Sequence, residues 1–298
     1  MKAILCSALF AIASVSLAIA QGTYTQIDVP GAIGTFVSGI NSAGDIVGRY
    51  EENPTLPQIH GFLLSNGALT TLIYPGANAY SAAAGINDLG QIVGTYFDDS
   101  GETFSGFVYD VPTNTFTGTF SDPLYGYTFA SGINNAGTIV GNIQLYGGPT
   151  ISYVAFQLTG TTFKKISPQG SSSTTASSID NFGDVIGLAT FNRVFGFISA
   201  NGKYQRITLP ILLAQPYGIN DFGALVGLFY STKDNVFLGF IYQNSIFQIL
   251  NFPGSTGTFP MAINNSGEVV GYFYDSNSST HGFTWTPPAD GLGNDHAH

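Results

Sequence analysis

Tyrosines standing beside carboxylates are the residues in this chain best suited to hold a ligand: Tyr50 with Glu51, Tyr96 with Asp98, Asp99 and Glu102, and Tyr272 with Asp275. A phenol offers a flat apolar face and a hydroxyl, and a neighbouring carboxylate accepts hydrogen bonds from a sugar or a peptide backbone. Tyr125, Tyr127 and Tyr217 occur in further segments of the same kind. The same rings could instead pack between layers of structure, with the acids simply solvating loops, so both readings stay open at this point.

Other chemistry is weakly provided for. The run Asp98-Asp99-Ser100-Gly101-Glu102 carries oxygen ligands of the sort Ca²⁺ takes, but it lacks the alternating acidic pattern of a dedicated loop, so no cofactor is expected. His60 and His281 both fall at the start of an outer strand, which argues against a zinc pair. Acids are frequent enough for a glycosidase-type pair near a central channel, yet spacing alone places none of them there. A guanidinium cluster for gripping an anion would have to come from Arg49, Arg193 and Arg206, the only arginines. Nucleophile elbows, Ser-x-x-Lys motifs and phosphate-cradling glycine loops are missing, and the many glycines are read as serving turns.

The elements that must position these residues are set by a repeat. Gly39-Ile40-Asn41-Ser42-Ala43-Gly44-Asp45-Ile46-Val47-Gly48 recurs five more times, with its Asn or Asp at 41, 87, 134, 180, 220 and 264. Spacings of 40 to 47 residues indicate stacked supersecondary units. Asn at the first and Gly at the fourth place of a tetrapeptide make a tight turn, so each copy reads strand, turn, strand. After the turn come two adjacent apolar residues, such as Ile46-Val47 or Ile92-Val93, which point to opposite faces of a strand. A sheet buried on both faces follows. Each copy continues with a small residue before Phe, as in Gly61-Phe62, and then a strand that often ends near Pro. Four short strands per unit of forty-odd residues predict a propeller blade.

The termini decide the count. Tyr24-Thr25-Gln26-Ile27-Asp28-Val29-Pro30-Gly31 resembles a fourth strand without its blade, and the last repeat ends at Trp285 without a fourth strand. The fold class expected is all-β: a six-bladed β-propeller with four-stranded blades over 21–287, closed by the N-terminal strand completing the last blade, which leaves no exposed sheet edge between the ends. Residues 1–20, with Lys2, an apolar stretch and Ala18-Ile19-Ala20, read as a secretory signal. Residues 288–298 read as a disordered tail. The only Cys, Cys6, lies in that leader, so the remaining chain needs no disulfide or thiolate site, as suits an oxidising exterior. Without Lys2 the charge is 7 minus 18, or −11. That acidity argues against nucleic acid or an anionic bilayer as partner. A monomer, secreted to the exterior or periplasm and not inserted in the membrane once the leader is removed, is expected.

The pattern Gly-Ile-Asn-x-x-Gly-x-Ile-Val-Gly followed by His60-Gly61-Phe62, and again by His281-Gly282-Phe283, resembles the HAF family of extracellular repeats of bacterial secreted proteins. The other copies carry Ser105, Val154, Phe195 and Leu238 where His would stand, so a catalytic His is not implied. The resemblance covers about residues 23 to 287 and implies repeat architecture and export, with no catalytic residues.

Uniform turns on one face and variable segments on the other place binding on the variable face. The function expected is non-catalytic binding of an extracellular polysaccharide or protein there; the alternative is a carbohydrate-active hydrolase or lyase using carboxylates near the channel. The fourth copy has the shortest connection, Leu188 to Arg193, which predicts a gap in the rim.

Overall fold

The computed structural model describes residues 18–52, 58–77, 79–98, 101–122, 127–146 and 151–289. The described residues form strands and no helix. In chain order, β1 (Ala18–Ile19) and β2 (Thr23–Ile27) precede the first unit, which comprises β3 (Gly34–Ile40), β4 (Ile46–Glu51), β5 (Ile59–Ser65) and β6 (Ala68–Leu72). The second holds β7 (Ser81–Ile86), β8 (Gln91–Asp98), β9 (Thr103–Asp110) and β10 (Thr115–Phe120), and the third β11 (Tyr127–Ile133), β12 (Ile139–Leu145), β13 (Ser152–Thr159) and β14 (Thr162–Ile166). The fourth holds β15 (Ser173–Ile179), β16 (Val185–Thr190), β17 (Val194–Ala200) and β18 (Lys203–Arg206). The fifth holds β19 (Gln215–Ile219), β20 (Leu225–Ser231), β21 (Val236–Gln243) and β22 (Ile246–Leu250). The last has β23 (Gly257–Ile263), β24 (Val269–Tyr274) and β25 (Thr280–Thr286).

Each unit is an antiparallel meander. The last acquires its fourth strand from the other end of the chain, because β2 pairs antiparallel with β25 from Thr23↔Thr286 to Ile27↔Gly282. Within the segment read as a leader, β1 pairs parallel with β22 and Ala20 is buried beside Leu250, Phe283 and Trp285. Residues 1–17 and 290–298 lie outside the described residues, and with them most of the leader and tail assignments.

The paired apolar residues after each turn explain how the units stack. Ile46 packs into a core shared with Val270 of the last unit, while its neighbour Val47 points the other way into a core with Ile86, Ile92 and Phe107 of the second. Val93, Val140, Ile186 and Val226 likewise enter the core of the unit that follows, and Val270 enters that of the first. Each such side chain, buried completely, contributes roughly 1.5–3 kcal/mol.

The glycine ending Ile-Val-Gly does not serve a turn, contrary to the sequence expectation. Gly48 sits opposite the fully buried Phe62, and a Cβ there would lie 2.1 Å from the Phe36 carbonyl oxygen and 2.8 Å from the Phe62 ring. The same collision with an inner-strand carbonyl recurs at the five equivalent glycines. The inner strand brings that carbonyl close because it bulges by one residue in every unit, at Ser38 in the first. A bulge bends its strand and increases local twist.

The turns join the units. The Asn41 side-chain oxygen accepts from the Ala43 and Asp45 amides at 3.1 and 2.9 Å, and Gly44 takes the left-handed backbone that ends the turn. The Asn41 side-chain nitrogen donates to the Asn87 carbonyl of the next unit at 3.3 Å. Asn87, Asn134 and Asn220 repeat that bond at 3.0 Å, and Asn264 returns it to the Asn41 carbonyl at 3.1 Å. The fourth unit carries Asp180, whose Oδ1 caps its own turn in the same way but which has no N–H to pass on. A second set of bonds covers this step, with the Asn181 amide nitrogens donating to Asp221 at 2.8 Å.

Burial raises the pKa of Asp180, helped by the charges of Asp184 and Asp221 and opposed by the amides of Asp184 and Phe182. A carboxyl raised in the folded state favours folding while protonated, and that stability is lost as pH rises from the ordinary carboxylate range through the raised value. Asp180→Asn should therefore add about 1–2 kcal/mol at neutral pH by restoring the missing donor, and flatten the pH dependence. Urea melts at pH 4 and pH 7 measure this; equal stability of the two proteins at pH 7 would contradict it.

Candidate functional site

Two places converge several units. On the turn face, a cavity of about 100 Å³ is lined by residues of all six units around Asn41, Asn87, Asn134, Asp180, Asn220 and Asn264. Its carboxylates hold structure. Asp88 accepts from the Ser42 amide and the Asn135 side chain at 2.8 Å each, and Asp221 from Asn181 and Asn265. Burial tends to raise the pKa of Asp88 but is outweighed by its hydrogen bonds from Asn135 and Ser42, so the net shift is downward.

The opposite face, where β4–β5-type connections and the entries to the inner strands emerge, gathers aromatic rings. Tyr230 meets Phe237 edge-on at 5.2 Å, Phe237 meets Phe259 at 5.9 Å, and Phe259 stacks on Tyr272 at 4.9 Å. Tyr272 then contacts Phe36 of the first unit at 5.3 Å, and the Arg49 guanidinium lies 4.3 Å over the Phe36 ring. Beyond Arg49, Tyr80 packs on Phe104 at 5.3 Å, Phe104 on Phe129 and Tyr127 at 5.0 and 5.7 Å, and Tyr127 on Tyr146 at 4.9 Å. Rings thus run in contact from the fifth unit through the last to the first, and again from the second to the third, with the Arg49 guanidinium over Phe36 and its charge acting on Tyr80 between the two runs. Among the described residues neither run reaches the fourth unit, where Thr175 and Leu188 stand at the places of Phe36 and Arg49.

The tyrosine-carboxylate residues distribute unevenly over this surface. Tyr272 belongs to the belt, and burial pushes its phenol up to about 12, with Tyr274 adding to the shift and Arg49 opposing it. Tyr127 belongs too, donating to the Glu102 carbonyl at 3.1 Å. Tyr217 is the bulged residue of β19, bonded to Gln215 at 3.1 Å, with its pKa raised by burial. Glu51 ends β4 near Tyr80, whose pKa burial raises, with Arg49 opposing and Glu51 adding.

Tyr50 is placed in the core instead, its hydroxyl 3.2 Å from Thr71 and its ring against His60, because its position on β4 faces the unit interface. Tyr96 stacks on Tyr74 at 4.0 Å beside the second core. Asp98 ends β8. Asp275 closes a loop by accepting from the Asn277 and Ser279 amides at 2.8 Å each, and those bonds hold its pKa down. Asp99 and Tyr125 lie outside the described residues. Among the described residues no cluster of three His, Cys, Asp or Glu is arranged for a metal ion.

Both histidines of the repeat motif touch carboxylates. His60 lies 3.6 Å from Glu52, and His281 lies 2.7 Å from Asp28 and 3.6 Å from Asp275. Asp28 follows β2, so this contact ties the N-terminal strand to the last unit. Sequence reasoning passed over Phe36, Phe104, Phe129 and Phe237 as site residues. Phe36, Phe129 and Phe259 share one inner-strand position, two residues before the bulge, which aligned repeats would have exposed.

No family model matches the chain, and no curated protein matches it. Solved structures do. The β-propeller domain of the Trilobed protease from Pyrococcus furiosus, described as having an open velcro topology, aligns at TM-score 0.52 and 13% identity over 85% of this chain and 94% of its own. XC5397 from Xanthomonas campestris, a gluconolactonase, aligns at TM-score 0.51 and 9% identity over 93% and 99%. The Trypanosoma rangeli sialidase in complex with the inhibitor DANA aligns at TM-score 0.58 and 10% identity over 89% of this chain and 60% of the sialidase. At these identities the likeness is one of fold, and the chain has the all-β, propeller-like architecture of these proteins.

The buried phenol gives a direct test of the belt. An unfolded tyrosine ionises near 10, so at pH 11 the folded protein should show fewer ionised tyrosines than the unfolded chain, with Tyr24 and Tyr272, both pushed up to about 12, among those retained. Arg49→Gln should move the Tyr272 step higher still. Ultraviolet difference titration reads both effects; a variant titrating at lower pH than the parent would contradict the placement of Arg49.

Proposed function

We propose that this chain is an exported repeat protein of the HAF type, folded as a closed six-bladed propeller, that binds a polysaccharide through its loop face without transforming it. Closure is supported by the β2–β25 pairing, by the bond from Asn264 to the Asn41 carbonyl, and by the core that Val270 shares with Ile46. Export is supported by the leader-like N-terminus and by a chain with no Cys after Cys6.

The belt of rings carries the binding assignment. Sugar rings present apolar C–H faces, and flat aromatic side chains complement them while phenol and guanidinium groups at the edges meet their hydroxyls. Two runs of rings, one from the fifth unit to the first and one from the second to the third, offer a string of such faces, long enough for an extended chain rather than a single residue. Several of them reach solvent: Tyr146 is 60% exposed, Tyr230 46% and Phe237 41%. Exposed aromatics at that density favour a partner surface over simple packing.

Because Tyr146 and Phe237 are exposed, replacing both by Ala leaves the cores intact. Binding to a polysaccharide panel, followed by calorimetry on the strongest ligand, should show at least a tenfold loss for the double variant, or about 1.4 kcal/mol. Undiminished affinity, or capture of a protein partner with no response from any polysaccharide, would overturn the assignment.

A further inference from the structure

Charge is divided unequally around the molecule. Between Asp122 and Asp221 the sequence holds five of its eight Lys and Arg but only two of its eighteen acids, a net of +3 against −13 for the remainder. The two acids, Asp180 and Asp184, belong to the turn of the fourth unit. The five cations, Lys164, Lys165, Arg193, Lys203 and Arg206, sit on or beside the outermost strands and the β16–β17 connection of two adjacent units. Protecting a sheet edge does not account for this, although Lys commonly has that role. The outer strands β2, β6 and β10 have edges of the same kind and carry no charged residue at all.

The same rim is grooved. A cavity of about 210 Å³ near the turn face is lined by Lys164, Phe182, Ser199, Asn201 and Tyr204, and one of about 150 Å³ toward the loop face by Pro168, Phe191, Phe195, Tyr204 and Arg206. Tyr204 borders both, and its hydroxyl accepts from the Ser167 amide of the third unit at 3.3 Å, so the two cavities lie end to end along the seam between units. The predicted gap at the fourth unit falls here: three residues join β16 to β17, closed by the Phe191 amide on the Arg193 carbonyl at 3.0 Å. Flat faces line the path, with Phe182 76% and Tyr204 39% exposed, and the Arg206 guanidinium rests 3.6 Å over Phe195. Among the described residues no carboxylate stands within ion-pair distance of Lys164, Arg193, Lys203 or Arg206.

We propose that this seam is a second binding surface, separate from the loop face, that takes an anionic polysaccharide bearing carboxylates or sulfates. Lys164 and Arg206, which line the two cavities, neutralise its charges, Phe182 and Tyr204 stack on its rings, and Ser199 and Asn201 meet its hydroxyls. The remainder of the molecule, at −13, repels such a polymer everywhere else and so confines it to the seam.

The test is calorimetry and affinity electrophoresis with polygalacturonate and dextran sulfate, with unsubstituted dextran and polyglutamate as controls, using the protein, a Lys164→Gln/Lys203→Gln/Arg206→Gln variant, Phe182→Ala, and the loop-face double variant. Expected are binding of the two anionic polysaccharides, weakening steeply with salt, at least a tenfold loss in the triple variant, a severalfold loss in Phe182→Ala, and full retention in the loop-face variant. Unfolding curves confirm that the variants fold, and Phe182→Ala, which changes no charge, keeps the seam testable should the triple variant be unstable. Binding that survives both rim changes, equal binding of polyglutamate, or cations engaged instead in a salt-sensitive dimer seen by sedimentation would each overturn the proposal.

Discussion

One side chain per unit does two things at once, and the architecture depends on that. The oxygen of Asn41 closes its own turn, and its nitrogen reaches the carbonyl of the next turn. Since both groups belong to one planar amide, the shape of the turn and the position of the neighbouring unit are fixed together. Buried polar atoms are costly unless bonded, and these amides are buried in each of the five units that carry Asn. The relay therefore selects one spacing between units, and the apolar pairs on either side fill the space so defined. Where Asp180 interrupts it, the bonds from Asn181 to Asp221 carry the link instead.

Much of this could be read from residue order. Asn and Gly three apart gave the turn, Ile-Val gave strands covered on both faces, and the strand-like residues near Tyr24 matched what the last repeat lacked. Other features could not be read that way. The glycine of Ile-Val-Gly looks like any turn glycine until the bulged carbonyl facing Gly48 is seen. Tyr50 looks like a loop tyrosine, but one place along a strand reverses the face it occupies, and it is drawn into the core while its neighbour Arg49 joins the ring belt. The belt itself is built by contacts between repeats, such as Tyr272 on Phe36 across 236 positions of sequence, which no local pattern reveals.

A rigid frame of this sort separates stability from recognition. The residues that repeat in every unit hold the units to each other, and those that vary are left to the surface. That division accounts for the histidines, which pair with carboxylates at two units and are replaced elsewhere without loss of the strand. It also accounts for the charge: with few ion pairs among the described residues, the frame leaves five of its eight cations to two adjacent units.

The central claim is that the two ends of the chain complete one sheet and thereby close the ring of units. Thr25 and Thr284 are register partners across β2 and β25, and antiparallel partners stand about 4.5–5.5 Å apart at Cα, within the span a disulfide bridges. In a chain beginning at Gln21, which has no other thiol, Thr25→Cys with Thr284→Cys should oxidise to a single intramolecular disulfide that raises the unfolding midpoint. Two free thiols persisting in the folded, oxidised protein would contradict the closed ring.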